Sequence, residues 1–157
     1  MYRGIGTHLR HVLELLDADV AKVYDGQGLG DYRPRFSPVV RAILAEGPLP
    51  IRALSTAVGV THSAASQTVN QMAKAGFVDL VPGADARQRI VRLTERTRRL
   101  LPVIEAEWEA TEAAQRELDR ELSVPLAQVL AEIEKALAKR SFAERIAGNV
   151  QDRPDQD

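Results

Sequence analysis

The chain has 157 residues, 45% hydrophobic and 27% charged, a composition typical of a folded globular protein rather than a disordered one. It contains no cysteine, which excludes disulfides, thiolate metal sites and sensing by thiol oxidation. No run of about 18 apolar residues is present to span a bilayer, and the first residues lack the apolar stretch of a signal peptide. We therefore expect a cytoplasmic protein.

The net charge of −1 conceals two parts of opposite sign. Residues 1–100 carry 14 Lys and Arg against 9 Asp and Glu, a net charge of +5, whereas residues 101–157 carry 7 against 13, a net charge of −6. The excess of positive charge is sharpest within 83–100, where six arginines oppose only Asp85 and Glu95. These arginines are Arg87, Arg89, Arg92, Arg96, Arg98 and Arg99. A local cationic patch favours phosphate binding more than the overall charge would suggest.

The first predicted element is an amphipathic helix from Ile5 to about Tyr24. Its apolar residues recur at steps of three or four: Ile5, Leu9, Val12, Leu16, Val20 and Val23. Leu13, Leu15 and Tyr24 widen this stripe, which predicts burial on more than one side. The glycine-rich residues 25–30 end the helix.

Two short helices are predicted next. Ser37 and Pro38 are typical of an N-cap and a first helical residue, so a helix should cover residues 39–45. The Gly-Pro-Leu-Pro segment at 47–50 ends it, and at most a very short strand separates it from a helix near 52–58.

A third helix in this region is predicted over residues 61–75, with Thr61 as N-cap and Gly76 as its end. Its inner face carries Ala65, Val69, Met72 and Ala73. Gly59 permits a sharp corner before it, so that Leu54 and Val58 of the preceding helix pack against this face. Two helices held at a fixed angle in this way predict a helix-turn-helix.

The following segments, 77–81 and 89–93, are predicted to be strands of a hairpin whose loop is 82–88. After them Thr94 caps a long helix, in which Pro102 predicts a kink. The apolar side of this helix carries Leu100, Leu101, Ile104, Trp108, Leu118 and Leu122.

A last helix begins at Ser123-Val124-Pro125, and an extension of it reaches through Phe142 and Ile146. Its apolar residues at helical spacing are Leu126, Val129, Leu130, Ile133 and Leu137. Residues 148–157 are predicted to be a disordered tail.

The outer face of the predicted helix 61–75 consists of hydrogen-bonding side chains with no acidic residue. Together with Thr61 at its start, the predicted DNA-binding residues of this helix are His62, Ser63, Ser66, Gln67, Asn70 and Gln71. Gln67 or Asn70 suits a bidentate contact to adenine, and the absence of arginine argues against a strong guanine contact. The alternative is a polar face that merely meets water; the arginine-rich hairpin beside it favours DNA.

The hairpin adds two predicted DNA-binding cations. Arg87 near its tip and Arg89 at its base are placed to reach phosphates or a narrow minor groove. Asp85 would repel phosphate if unpaired, so we predict that it structures the wing by bonding an arginine or loop amides. The alternative for these residues is an ordinary solvated turn.

The segment Asp85-Ala86-Arg87, the strand 89–93 and the Leu93-Thr94 pair resemble the wing signature of MarR-family regulators, and Gly76-Phe77-Val78 is similar to the family's entry into the wing. The resemblance covers about residues 39–101 by motif. It implies a mainly α fold with a small β-hairpin wing: a winged helix-turn-helix lobe (37–94) flanked by dimerisation helices (5–26 and 95–147).

The resemblance further implies a homodimer whose first and last helices intertwine, with each Arg87 inserted into a minor groove. The function it implies is a transcriptional regulator, most often a repressor, at a pseudo-palindromic site in double-stranded DNA. Family members commonly bind a small aromatic effector between the dimer helices and the winged lobe. Residues that could lie near such a crevice are His8, His11, Tyr24, Arg41 and Trp108.

Three alternatives concern the function and the assembly. An enzyme is disfavoured, because His8, His11 and His62 form no metal-ligand pattern and no nucleophile motif is present; no catalytic residue, metal or cofactor is predicted. A winged helix used only for protein contacts stays open, given the arginine-free helix and the acidic C-terminal third. An intramolecular helical bundle is the alternative to the dimer.

Overall fold

The computed structural model describes residues 4–83 and 88–151. The chain forms two units, residues 4–109 and 110–151, and each is described by itself. The helices are α1 (Ile5–Gly26), α2 (Ser37–Glu46), α3 (Ile51–Val58), α4 (His62–Lys74), α5 (Glu95–Glu121), α6 (Leu126–Lys139) and α7 (Phe142–Gln151). A 3₁₀ turn covers Pro34–Phe36, and the strands are β1 (Leu49–Pro50), β2 (Val78–Pro82) and β3 (Arg89–Leu93). The predicted class, mainly α with a small β-hairpin wing, is confirmed.

The three strands form one antiparallel sheet in the order β1-β3-β2. In the hairpin Val78 pairs with Leu93 and Pro82 with Arg89, and Gly83 donates its backbone N–H to the carbonyl of Gln88 over 2.8 Å. Strand β2 begins one residue later than predicted, because Phe77 donates its N–H back to the carbonyl of Met72 at the helix exit. Residues 84–87 of the loop lie outside the described residues.

Four aromatic rings form the centre of the N-terminal unit. Tyr32 is fully buried and meets Tyr24, Phe36 and Phe77 edge-on, at ring-centroid distances of 4.9, 5.7 and 5.2 Å. This geometry adds about 0.5 to 1.5 kcal/mol per pair beyond the burial itself. The cluster therefore fastens the end of α1 and the turn before α2 to the exit of α4.

One predicted helix start is wrong. Ser37 is the first residue of α2 rather than its N-cap; the N-cap is Phe36, which makes no side-chain cap bond. The preceding turn at 34–36 already provides helical backbone, so the serine hydroxyl is not needed at the helix end. It instead accepts a hydrogen bond from Trp108 Nε1 at 2.9 Å and lies 3.3 Å from the hydroxyl of Tyr24.

The C-terminal unit also departs from expectation at two points. The predicted extension of the last helix is a separate helix, because Arg140 takes an extended conformation after α6. A capping box then starts α7: Glu144 N–H donates to Ser141 Oγ over 3.2 Å, and Ser141 N–H to Glu144 Oε2 over 2.7 Å. Since α7 runs to Gln151, the tail predicted from Gly148 begins too early; residues 152–157 lie outside the described part.

Pro102 lies inside α5, where the kink stays a prediction. Within the described ranges, no helix combines the length and the apolar character needed to cross a bilayer.

Candidate nucleic-acid interface

The corner between α3 and α4 has the geometry of a helix-turn-helix. Gly59 adopts the left-handed backbone at φ 74°, which favours glycine, and Val60 donates its N–H to the carbonyl of Ser55 over 3.0 Å. Leu54 and Val69 are fully buried in one core, with Val58 packed against it. The predicted packing of the two helices is confirmed, and it fixes the direction in which α4 presents its outer face.

Thr61 caps the start of α4 as predicted. Its backbone is extended and its Oγ1 accepts the N–H of Ala64 over 3.2 Å. This bond satisfies one of the amides that a helix start leaves open.

Removing this cap should loosen the first turn of α4. Thr61→Ala is expected to lower the free energy of unfolding by about 1 kcal/mol, because one amide loses its acceptor. Urea unfolding followed by circular dichroism at fixed protein concentration measures the change. Thr61→Ser keeps the oxygen and should restore most of the loss; equal losses in the two variants would contradict the capping role.

The two faces of α4 are separated as predicted. Ala65, Val69 and Met72 are buried on the inner face. The outer positions are solvent-exposed, apart from the half-buried Ser66; they are His62, Ser63, Gln67, Asn70 and Gln71. The helix thus offers amides, hydroxyls and an imidazole to the solvent without a carboxylate among them.

The C-terminal end of α4 is held by the first turn of α5, which the sequence reasoning missed. Arg96 Nη1 donates to the carbonyl of Ala75 over 2.6 Å, Thr94 Oγ1 to that of Gly76 over 2.8 Å, and Thr97 Oγ1 to that of Phe77 over 2.6 Å. The same Thr94 also caps α5 as predicted, accepting the N–H of Thr97 over 3.2 Å. Three carbonyls at the helix exit are therefore satisfied by side chains of one neighbouring turn.

These contacts reduce the predicted cationic patch. The guanidinium of Arg96 also lies 4.8 Å from the ring centre of Phe77, so it belongs to the helix exit rather than to a phosphate site. Arg92 faces Asp79 across the hairpin at 3.4 Å, an exposed pair of the kind that contributes about 0 to 1 kcal/mol. Arg89, Arg98 and Arg99 are exposed, while the predicted Arg87 and Asp85 lie outside the described residues.

Comparison with known proteins agrees with this geometry. The model of the MarR family matches residues 37–89, the segment that holds α2 to the start of β3. Over these 53 of its 157 residues the chain is similar to the MarR family. No match was found among curated protein sequences.

Solved structures of transcriptional regulators share the fold of this chain. The PcaV transcriptional regulator from Streptomyces coelicolor, in complex with its natural ligand, is 18% identical over 90% of this chain and 99% of its own, with a TM-score of 0.60. The M. tuberculosis transcriptional regulator MOSR, in complex with DNA, is 18% identical over 88% and 99%, with a TM-score of 0.68. Wild-type MarR from E. coli, in its apo form, is 18% identical over 88% and 98%, with a TM-score of 0.52.

The N-terminal unit also buries a polar cluster that sequence reasoning found only in part. Ser37 Oγ joins Trp108 and the hydroxyls of Tyr24 and Tyr32, the last at 3.4 Å, and the buried Glu107 lies close by. Burial, with the charge of Glu107 nearby, raises the pKa of Tyr32 to about 12, although its hydrogen bond to Ser37 acts in the opposite direction. The phenol therefore stays neutral at physiological pH.

The residues expected near an effector crevice are only partly brought together. The guanidinium of Arg41 stacks over Trp108 at 4.3 Å from the ring centre, and Tyr24 belongs to the same cluster. His8 is exposed and His11 half-buried on α1. Tyr32, Ser37 and Glu107 were missed, because only the folded chain brings three distant segments to one hydroxyl.

Proposed function

We propose that this protein is a homodimeric transcriptional regulator that binds double-stranded DNA at a pseudo-palindromic site, acting in the cytoplasm as a repressor. The observation that carries the proposal is the exposed, carboxylate-free face of α4, on a helix capped at Thr61 and held at its other end by α5. The family match over 37–89 supports it, as does the fold shared with a regulator solved on DNA.

In the proposed complex α4 enters the major groove, and Gln67 or Asn70 pairs with adenine through its amide. Thr61, His62, Ser63, Ser66 and Gln71 contact neighbouring bases or phosphates. Arg89 at the base of the wing binds phosphate, and Arg87 is assigned to the minor groove with Asp85 shaping the loop. The phosphate contacts set the register, whereas the amides supply the sequence preference.

The proposed homodimer rests on apolar surface that each unit leaves open. On α1 the exposed apolar side chains are Ile5, Leu9, Val12, Leu13, Leu15, Leu16 and Val23. Helix α6 has no buried residue although Val129, Leu130 and Leu137 project from it. Apolar surface on this scale is typical of an interface. We propose that a second copy of the chain covers this surface, because helix-turn-helix proteins gain affinity by binding two half-sites.

A small aromatic effector is the proposed signal. The structure of PcaV holds its natural ligand, and in this chain Tyr24, Arg41 and Trp108 offer the ring faces, hydroxyl and cation that an aromatic acid or phenol would contact. The effector releases the operator only if it binds the DNA-incompetent arrangement of the dimer more tightly than the competent one.

Selection of bound fragments from random duplex DNA tests the proposal. We expect recovery of a two-fold site of about 16 to 20 base pairs, with half-sites one helical turn apart. Enrichment of no sequence would favour the alternative, a winged helix used for protein contacts, which the lack of a basic residue in α4 before Lys74 would then explain.

The wing makes a separate prediction about salt. Arg89→Ala should lower duplex affinity and flatten the slope of log K against log salt by about 1 to 2 in the dimer, because each lost phosphate contact changes the slope by about 0.9. Fluorescence anisotropy over a range of salt measures it. Lys135→Ala, on the polar side of α6, is the control; an unchanged slope for Arg89→Ala would show that Arg89 does not bind phosphate.

A further inference from the structure

A cationic cleft of about 410 Å³ opens beside the last turn of α4. Arg33 and Arg35 line one wall, and Lys74 and Gln71 of α4 line the other, with Asp31 as the single carboxylate. Three cations against one anion leave the cleft with a net charge of +2. Within the ranges 4–83 and 88–151, neither arginine takes part in an ion pair.

The two arginines are held on a rigid support. They lie between the buried rings of Tyr32 and Phe36, which anchor the segment in the aromatic core at both ends. Pro34 between them fixes the backbone of the 3₁₀ turn, and Phe36 donates its N–H to the carbonyl of Arg33 over 2.8 Å. Because the backbone is fixed by the core, the two guanidinium groups project from a defined place beside α4.

The cleft is continuous with the outer face of α4, because Gln71 belongs to both. When a recognition helix lies in the major groove, the phosphates that border the groove pass beside it. Guanidinium groups bind phosphate oxygens through two parallel N–H bonds, and an exposed lysine adds a point charge.

We propose that this cleft binds a backbone phosphate of the same duplex that α4 reads, so that each protomer holds the DNA on both sides of the helix: at the wing and at Arg33, Arg35 and Lys74. The inference rests on the proposed function. It assigns both arginines of the second phosphate site to a segment before α2, outside the residues 37–89 that match the family model.

A free phosphate ion has the same oxygen atoms as a backbone phosphate and is the alternative ligand of this cleft. The cleft favours the duplex, because its arginines are exposed at a surface and no buried charged side chain encloses a small anion. A phosphate delivered by a duplex already bound through α4 needs only weak additional attraction, since the other contacts have already offset the entropy lost on association.

The test uses the full-length protein and the duplex recovered by selection, with affinity measured over a range of salt. Arg33→Ala/Arg35→Ala should weaken binding about 10-fold or more at low salt and flatten the salt slope by about 2, one phosphate per protomer. The affinities for the selected and the scrambled duplex should fall by the same factor, because phosphate contacts carry no sequence information. Asp31→Asn should act in the opposite sense and tighten binding severalfold.

The matched control is Lys135→Ala/Lys139→Ala, which removes two positive charges from α6 and should keep the wild-type slope. Thermal unfolding of each variant checks the fold, and Arg33→Lys/Arg35→Lys should retain the slope because it retains both charges. Wild-type affinity and slope in Arg33→Ala/Arg35→Ala would overturn the inference while leaving the proposed function intact. A wild-type protein that binds no duplex would overturn both.

Inorganic phosphate at constant ionic strength separates the two sources of the anion. We expect it to leave duplex binding by the wild-type protein unchanged. A loss of duplex binding that depends on phosphate, and that disappears in Arg33→Ala/Arg35→Ala, would assign the cleft to a free anion and overturn the proposal.

Discussion

Gln67→Ala/Asn70→Ala is expected to weaken binding to the selected duplex about 30-fold or more, and to do so at every salt concentration. A bidentate amide contact to adenine contributes about 1 to 3 kcal/mol of discrimination. The proposed dimer loses that contact at two half-sites, so even the lower figure gives about 2 kcal/mol, or 30-fold in Kd. Both side chains are exposed and neutral, so the fold and the salt slope should not change.

Anisotropy with the selected and a scrambled duplex measures this effect. The selected duplex should lose most of its advantage, while the scrambled one keeps its affinity. Gln115→Ala, which removes an exposed amide from α5, is the matched control. An equal loss on both duplexes would contradict base reading by these amides and would place them on the phosphates instead.

The elements that sequence reasoning located well are those fixed by local chemistry. Thr61 supplies an oxygen at the correct spacing for a free amide, Gly59 and Gly76 have the positive φ that a sharp exit needs, and strand β3 has the predicted bounds. Each of these features depends on a few consecutive residues. The helix-turn-helix and its exposed amides were therefore predictable.

The errors occur where distant segments compete for one group. Ser37 has the local pattern of an N-cap, but the folded chain brings Trp108 to its hydroxyl from 71 residues away. Arg96 looks like one more cation of a DNA-binding patch, yet it is fixed to the exit of α4. In the sequence Arg33 and Arg35 belong to no motif that predicts a binding site. Only the packing of Phe36 places them beside Lys74. Periodicity and capping rules contain no information about contacts between residues that are distant in the sequence.

The second large effect concerns the helices outside the winged lobe. Leu130→Asp is expected to convert the proposed dimer to a monomer at micromolar concentration. Leu130 projects from α6 with 44% of its surface exposed, on the same side as Leu126, Ile133 and Leu137. Burying a leucine contributes about 1.5 to 3 kcal/mol, and a two-fold interface contains every residue twice.

Because less than half of Leu130 is exposed in the single chain, the two leucines together account for about 1 to 3 kcal/mol of the dimer. Burying two carboxylates costs several kcal/mol more, so the dissociation constant should rise over 100-fold. Sedimentation velocity measures the change. Gln128→Asp adds the same charge to the opposite, polar side of α6 and should remain dimeric. Circular dichroism should show the helices retained, because no residue of α6 is buried within the single chain.

DNA binding should be lost together with the dimer. A monomer contacts only one half-site, so each copy loses its translational and rotational entropy separately on binding, whereas a dimer loses it once for both half-sites. We expect Leu130→Asp to bind the two-fold site no more tightly than an isolated half-site. If the monomeric variant kept the wild-type affinity for the full site, α4 would be reading DNA without a partner. If Leu130→Asp remained dimeric, α6 would lie outside the interface, and α1 with the other C-terminal helices would have to supply it.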